Sequence, residues 1–597
     1  MDDSLNQDEK ITYFGETDAR SKRVRFGIKS KDRTRHVYVI GKTGMGKSTL
    51  LENMAVQDIQ NGNGFAFVDP HGKSAELLLE YIPKERIKDV IYFAPFDTDY
   101  PVSFNVMEDV GADKRHLVAS GLMSAFKKIW VDAWSARMEY ILNNILLALL
   151  EYPDSTLLGV NRMLSDKWYR QKVVANISDP SVKSFWTDEF EKYGERYMQE
   201  AGAAIQNKIG QFTANPLVRN IVGQTHSSFD IRDVMDNKKI LIANLSKGKV
   251  GEANANLLGS MLITKIYLGA MSRADIPDRE LQKLPNFYLF VDEFQSFANE
   301  SFADILSEAR KYKLNLSIAH QYVDQMSEEV QSAVFGNVGT TIAFRVGPLD
   351  AELLEKLFMP KFTAEDLVNL GRFQMYLTLM IDGIGSQPFS ALSMPPIEKP
   401  NDNFYQDIVD TSRNVFAHPK DKTEETIKAW YLEGTDERDT FDKKKKKGGG
   451  FGGGGGGGFG GGYQGQRNNN DGERKPELRS DMKKALFEAI KTGNAVPVDG
   501  APAVTPAMSL QDIANKHTPP PLKKNDGKKP TGEHVNALKE ALSSLVPKNN
   551  QDNKPRTEPP KQNVHEERKQ EQRQPEQKSK KHPNEIPEDE LRKMLSI

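Results

Sequence analysis

The sequence predicts an α/β fold: a mainly parallel central sheet, interrupted by an all-α insertion and followed by a low-complexity tail. Three observations carry that expectation. Short, continuously apolar runs alternate with helical patterns on either side of residues 107–216, as they do in parallel sheets covered on both faces. Within 107–216 the β signal vanishes and a 3.6-residue periodicity takes over. From residue 401 onward the composition changes in kind, with Lys443–Lys447, a glycine run over 448–462, and then mostly Pro, Lys, Gln, Asn and Glu. The expected parts are therefore 1–106 and 217–400 as two halves of one core, 107–216 as the insertion, and 401–597 as a disordered tail.

Residues 1–36 are polar, basic in their second half (Arg20, Lys22, Arg23, Arg25, Lys29, Lys31, Arg33, Arg35), and are expected to supply a lead-in strand or two. Those cations read either as a solvated face or as a polyanion contact. Next, Val37-Tyr38-Val39-Ile40 leads into Gly41-Lys42-Thr43-Gly44-Met45-Gly46-Lys47-Ser48, and Thr49 opens a helical pattern. The spacing G-x-x-x-x-G-K-S between a strand and a helix is that of a phosphate-binding loop. Its glycines let successive backbone N–H groups turn inward, and the following helix adds free amides and its dipole. Lys47 is placed to reach β- and γ-phosphates, and the Ser48 hydroxyl to ligand Mg²⁺.

A second buried strand, Phe65–Val68, ends in Asp69-Pro70-His71-Gly72, and a third covers 90–94. Asp69 reads equally as an outer ligand of a magnesium site or as a turn residue before proline. In the insertion, Trp130, Trp134, Trp168 and Trp186 are expected in a helical core rather than as base-stacking platforms. The core resumes with a strand over 240–244, a glycine-flanked loop carrying Lys247 and Lys249, and a long helix. The two lysines read either as pore-facing phosphate contacts or as solvated residues. Phe287–Val291 then runs into Asp292-Glu293, a Walker B pattern in which Asp292 holds Mg²⁺ and Glu293 acts as general base. A further strand over 314–319 ends in His320-Gln321, with Gln321 beside the nucleotide as a γ-phosphate sensor or a simple strand cap. A last strand over 340–345 and a hairpin-like stretch complete the core near Pro400. In the tail, 482–490, 535–546 and 588–597 read as short amphipathic islands suited to docking on partners.

Composition limits the remaining function classes. A formal charge of −2 gives no global bias toward nucleic acid or membrane, so polyanion contacts must be local. There are no cysteines, which excludes disulfides and thiolate metal sites and fits a reducing compartment. The most apolar run, Tyr140–Leu150, falls far short of the ~20 residues of a spanning helix, and the acidic N-terminus is no signal peptide. The expectation is a soluble, cytoplasmic protein.

The stretches GKTGMGKSTLLENM, VDPHG, FVDEFQSF and IAHQ resemble the HerA/FtsK-type motor ATPases, most closely the type IV secretion coupling proteins of the TraD/TraG group, over about residues 10–400. The resemblance implies a RecA-like P-loop NTPase, usually a homo-hexameric ring, that hydrolyses ATP with Mg²⁺ to move DNA through its pore. It carries the nucleotide-binding role onto Gly41–Ser48, metal binding onto Ser48 and Asp292, and the catalytic base onto Glu293. The sensor glutamine maps to Gln321 and an arginine finger to Arg310. Because Arg310 precedes the N-terminal end of a strand whose other end meets nucleotide, it is expected to act on the neighbouring subunit. Coupling proteins usually begin with transmembrane helices, whereas only 40 residues precede this phosphate loop. That departure admits a HerA-like soluble translocase for DNA-end processing, or a nucleotide-dependent scaffold, as alternatives. Expected partners are DNA and, through the tail, a secretion channel at the cytoplasmic face of the inner membrane, a relaxase or a nuclease.

Overall fold

The computed structural model describes residues 8–18, 22–193 and 202–433. The glycine run and the three tail islands lie outside these. Strands β1 (Ile11–Thr17), β2 (Arg25–Lys29), β3 (Val37–Ile40), β4 (Gly64–Asp69), β5 (Val90–Phe93), β6 (Ile240–Asn244), β7 (Phe287–Val291), β8 (Leu314–His320), β9 (Thr340–Ala343), β10 (Gln374–Thr378) and β13 (Phe389–Ser393) form one 11-stranded sheet. A separate hairpin pairs β11 (Met380–Ile381) with β12 (Ile384–Gly385). The strand order is β2-β1-β13-β10-β9-β3-β8-β7-β4-β6-β5. From β9 to β5 every pairing is parallel, whereas β10, β13, β1 and β2 extend the sheet in antiparallel fashion.

The parallel strands are apolar throughout because both of their faces are covered. In β3, Tyr38 and Ile40 join the hydrophobic core on one face, while Val37 and Val39 join that on the other. Ala66 and Val68 of β4 divide from Phe65 and Phe67 in the same way. The second face packs on the helix Lys47–Gln60, which buries Leu50, Leu51, Met54 and Ile59. The first face is continuous with the helices that occupy the connection from β5 to β6.

Those helices include Arg115–Ile129, Ala136–Glu151, Lys167–Asn176, Ala203–Ala214 and Pro216–Val222, and the last of them, Ile231–Asp236, leads directly into β6. The two ends of the excursion are joined near the sheet. Ser103 and Ser228 exchange hydrogen bonds, and the Asn105 amide donates to the Ser155 and Thr225 carbonyls at 2.8 and 2.7 Å. Trp186 is buried here, and Trp130 stacks on Phe126 with 5.1 Å between centroids.

Three sequence expectations need revising. The described part of the basic segment, 22–35, is not simply a solvated face. Arg33 is 1% exposed and makes a bidentate pair with Asp58, at 2.9 Å for each contact, with its guanidinium 3.7 Å from the centre of the Tyr288 ring. Lys29 and Lys31 pair with Glu9 and Asp382. Second, the segment after residue 400 begins with structure: helices Tyr405–Phe416 and Lys420–Leu432. Ile408, Val409, Ser412 and Phe416 form a buried stripe at helical spacing, and Ser412 accepts a hydrogen bond from the Tyr92 amide of β5. That stripe is masked when composition is averaged over the whole polar C-terminal region. Third, Lys247 and Lys249 lie on a one-turn helix, Lys247–Val250, rather than a loop. Lys247 bonds Ser296 and Glu252, while Lys249 bonds Glu76 and lies 4.2 Å from the centre of the Phe96 ring.

Among the described residues, no helix is long and apolar enough to cross a membrane.

Candidate functional site

In a parallel sheet, side chains that follow the carboxyl ends of neighbouring strands converge on one edge. Register aligns Ile40 of β3 with His320 of β8, and Val291 of β7 with Ile318 of β8 and Val68 of β4. The loop 41–46, Gln321, Asp292-Glu293 and Asp69 therefore meet at one edge.

The loop's backbone requires glycine at two positions for different reasons. A side chain on Gly41 would meet Phe344 Cβ at 2.6 Å, and Gly46, with φ +124°, starts the helix in a conformation that other residues rarely adopt. Lys42 N donates to the Arg345 carbonyl at 2.8 Å, fastening the loop to β9's exit. The Lys47 ammonium folds back to donate to the Gly41 carbonyl at 2.7 Å. Burial lowers its pKa, opposed by Glu293 and Asp292. Ser48 Oγ donates to Asp292 Oδ2 at 2.8 Å, and Gln321 Nε2 donates to Thr43 Oγ1 at 2.8 Å. Glu293 adopts a left-handed backbone, φ +46°, and its carboxylate accepts from the Gln295 side chain.

Asp292 is 3% exposed, and its pKa is pushed up to about 6, mainly by burial and further by Asp69 and Glu293, against the Ser48 hydrogen bond. A hydroxyl beside a carboxylate held at that disadvantage is a donor set suited to a hard divalent cation such as Mg²⁺, which favours oxygen ligands and keeps phosphate and water in its other positions. Asp69 takes the turn role: its oxygens accept from the His71 and Ala75 amides at 2.7 and 3.0 Å.

The structure therefore brings Lys47, Ser48, Thr43, Asp292, Glu293 and Gln321 together. Met45 is buried beneath the loop, and Gly44 and Thr49 line the same cleft. Arg310 is not among them. It sits on the turn Ala309–Tyr312 ahead of β8, at the opposite edge of the sheet, where burial and the nearby Arg35 lower its pKa. The seven residues of β8 separate it from Gln321, roughly 20 Å.

Two neighbours of the site were given no role by the sequence. Lys128, on the helix Arg115–Ile129, donates to the carbonyls of Gln295 and Ala298, in the turn that follows Glu293. Burial lowers its pKa to about 8, helped by Lys247. His320 lies buried between strands with Nδ1 3.1 Å from Tyr38 Oη, and burial, with Lys47 and Lys128 nearby, lowers its pKa to about 3. Lys128 is remote in sequence and sits in an ordinary amphipathic helix. His320 is signalled only by its place before Gln321.

A glycine-rich strand–loop–helix facing an Asp-Glu strand end across a parallel sheet defines a P-loop NTPase. A family model, described as the type IV secretion-system coupling protein DNA-binding domain, matches residues 24–358, more than half of the chain. The protein belongs to that coupling-protein family. Among solved structures, it is similar to the bacterial conjugative coupling protein TrwBdeltaN70 in its unbound monoclinic form, at 15% identity over 67% of this chain and 92% of that one, TM-score 0.48. It is also similar to the plasmid coupling protein TrwB in complex with ADP and Mg²⁺, at 15% identity over 64% and 89%, TM-score 0.47. VirB4 of Thermoanaerobacter pseudethanolicus matches at 13% identity over 65% and 96%, TM-score 0.39. No curated protein matches the chain.

Proposed function

We propose that this protein is an ATP-driven DNA-translocating motor of the coupling-protein type, working as a homo-hexameric ring with DNA in its pore. The observation that carries the reading is the convergence of Lys47, Ser48, Asp292, Glu293 and Gln321 on one strand edge. The family's description as a DNA-binding domain supports DNA as the polymer.

In this reading the 41–48 amides cradle the phosphates, and the Lys47 ammonium exchanges its backbone carbonyl for β- and γ-phosphate oxygens. Ser48 and Asp292 would hold Mg²⁺, which when bound shields phosphate charge. Glu293 orients a water and takes its proton as the oxygen bonds to the γ-phosphorus and the bond to the β,γ-bridging oxygen breaks, giving ADP and phosphate. Gln321, tied to Thr43, is positioned to register the γ-phosphate. Arg310 supplies its charge to the nucleotide of the adjacent subunit. The helical excursion serves as an insertion on the motor core. The region beyond residue 433 recruits a secretion channel, relaxase or nuclease, which would bring the ring to the cytoplasmic face of the inner membrane.

ATP turnover measured with and without DNA tests the reading. DNA should raise the rate of the wild type, Lys47→Ala should lose nucleotide binding, and Glu293→Gln should bind ATP but turn it over about 10²- to 10⁴-fold more slowly. Near-normal turnover in Glu293→Gln would overturn the assignment of the base. Turnover indifferent to DNA would favour a nucleotide-dependent scaffold.

A further inference from the structure

The phosphate loop opens onto a cleft of about 810 Å³, within the range of small-molecule sites. Part of its lining is the loop and the start of its helix: Thr43, Gly44 and Gly46–Thr49. The rest of the lining includes residues of the antiparallel extension of the sheet, packed beside the loop: Arg372 and Phe373 before β10, and Leu392–Pro396 at the end of β13. Lys47, Ser48 and Glu293 also line the cleft, so it holds the phosphate site and reaches from there to Arg372, Phe373 and the end of β13.

Phe373 has three features that a space-filling core residue lacks. It is 41% exposed beside the cleft. Its backbone is left-handed, φ +66°, a conformation that aromatic residues seldom adopt. It is also pinned on both sides: its amide donates to the Met45 carbonyl at 3.2 Å, and its carbonyl accepts from Ser393 at 2.9 Å. The ring edge stands so close to the loop that a Cβ on Gly46 would lie 3.2 Å from it. The Gly371 amide donates to the Gln374 side chain at 2.7 Å and braces the turn. The Arg372 guanidinium lies 4.7 Å from the centre of the Phe373 ring, and no carboxylate pairs with Arg372 among the described residues.

A nucleotide whose phosphates occupy the loop has its base at the far end of the ribose, along this cleft. We propose that Phe373 is the platform on which the nucleotide base stacks, with Arg372 holding the ring and its surroundings electropositive. This rests on the reading of the site as an ATPase. The exposed ring offers a π-face, and the left-handed turn directs it into the cleft from a backbone anchored to the phosphate loop itself. Base and phosphate recognition are thereby fixed to one another through the Phe373–Met45 hydrogen bond. Stacking recognises the base through its face, which inorganic tripolyphosphate does not have.

Equilibrium binding of ATP and of tripolyphosphate, each with Mg²⁺, tests this on the full chain. Phe373→Asn removes the ring, while asparagine tolerates the left-handed backbone and keeps the turn. Phe373→Tyr restores an aromatic face. Phe373→Asn should weaken ATP binding about 5- to 150-fold and leave tripolyphosphate binding unchanged, with Phe373→Tyr close to wild type. A loss in ATP affinity below about twofold overturns the platform. So does a parallel loss for tripolyphosphate, since the ring then braces the loop rather than the base. In both cases wild-type binding of ATP leaves the ATPase reading intact. A wild type that binds neither ligand overturns that reading and the platform with it.

Discussion

Replacing Asp58 tests how the phosphate-loop helix is held to the sheet. Asp58 is 0% exposed on the helix Lys47–Gln60, and its carboxylate accepts two hydrogen bonds from Arg33 and one from Asn63 at 2.8 Å. Arg33, also buried, donates to Thr12 at 3.0 Å and lies over Tyr288. In Asp58→Ala the guanidinium stays buried without its counter-charge, and its remaining neighbours, the Thr12 hydroxyl and the rings of Tyr288 and Phe290, do not replace it. Breaking a buried pair on one side costs about 3–5 kcal/mol. Replacing both members by apolar residues of similar volume, Arg33→Met with Asp58→Leu, removes the charge along with its partner and should cost far less. Thermal unfolding followed by circular dichroism reads both. Asp58→Ala should melt several degrees below wild type, and the double variant should recover most of that loss. ATP binding should follow the same order, because the helix carries Lys47 and Ser48 at its first turn. If the double variant is as unstable as Asp58→Ala, the loss reflects packing rather than an unpaired charge, and the reasoning fails.

Mixing Arg310→Ala with Glu293→Gln subunits, each inactive alone, should return part of the ATPase activity; no recovery in rings shown to be mixed would count against action in trans. Lys128→Met releases the Gln295–Ala298 turn, so turnover should fall roughly 10- to 100-fold with KM little changed, and Lys128→Arg should restore part of it; an equal change in KM would make Lys128 a binding group instead. His36 and His320 are buried and neutral, with pKa values lowered from 6.5 to about 4 and about 3. The unfolded chain takes up protons there before the folded one does, so their contribution to stability is present above about pH 6.5 and is lost as pH falls toward these values. Melting temperature should drop across that window, less steeply in His320→Gln; a slope unchanged by the substitution would remove His320 from the account.

What could be read from the sequence follows from how local each signal is. The loop 41–48 and its flanking strand and helix were legible because spacing alone defines them. Asp292 and Gln321 were legible because each ends an apolar run, and a parallel sheet brings such ends to one edge. Arg33 was not, since a basic residue in a basic stretch gives no sign that Asp58 waits 25 positions later. Phe373 was hidden for another reason. It lies just before the hairpin-like stretch, outside any motif, and its importance comes from the antiparallel strands β10 and β13 folding back beside the phosphate loop. Strand order is a long-range property that periodicity does not encode. The helices of 405–432 were missed because their apolar positions are few, although their spacing was regular.

The strands β5 and β6 are neighbours in the sheet, yet the chain leaves one and returns to the other only after the whole helical excursion. Loop-closure entropy grows only with the logarithm of length, so closing a connection of about 150 residues costs just about 2 kcal/mol more than closing one of about ten. The hydrogen bonds among Ser103, Ser228, Asn105, Ser155 and Thr225 act as a clasp at the neck and offset that difference locally. The sheet is thus nearly indifferent to how much chain lies beyond the clasp. Helices there can lengthen, shorten or be exchanged while the phosphate loop and its strands keep their register, leaving the excursion free to diverge much faster than the sheet that anchors it.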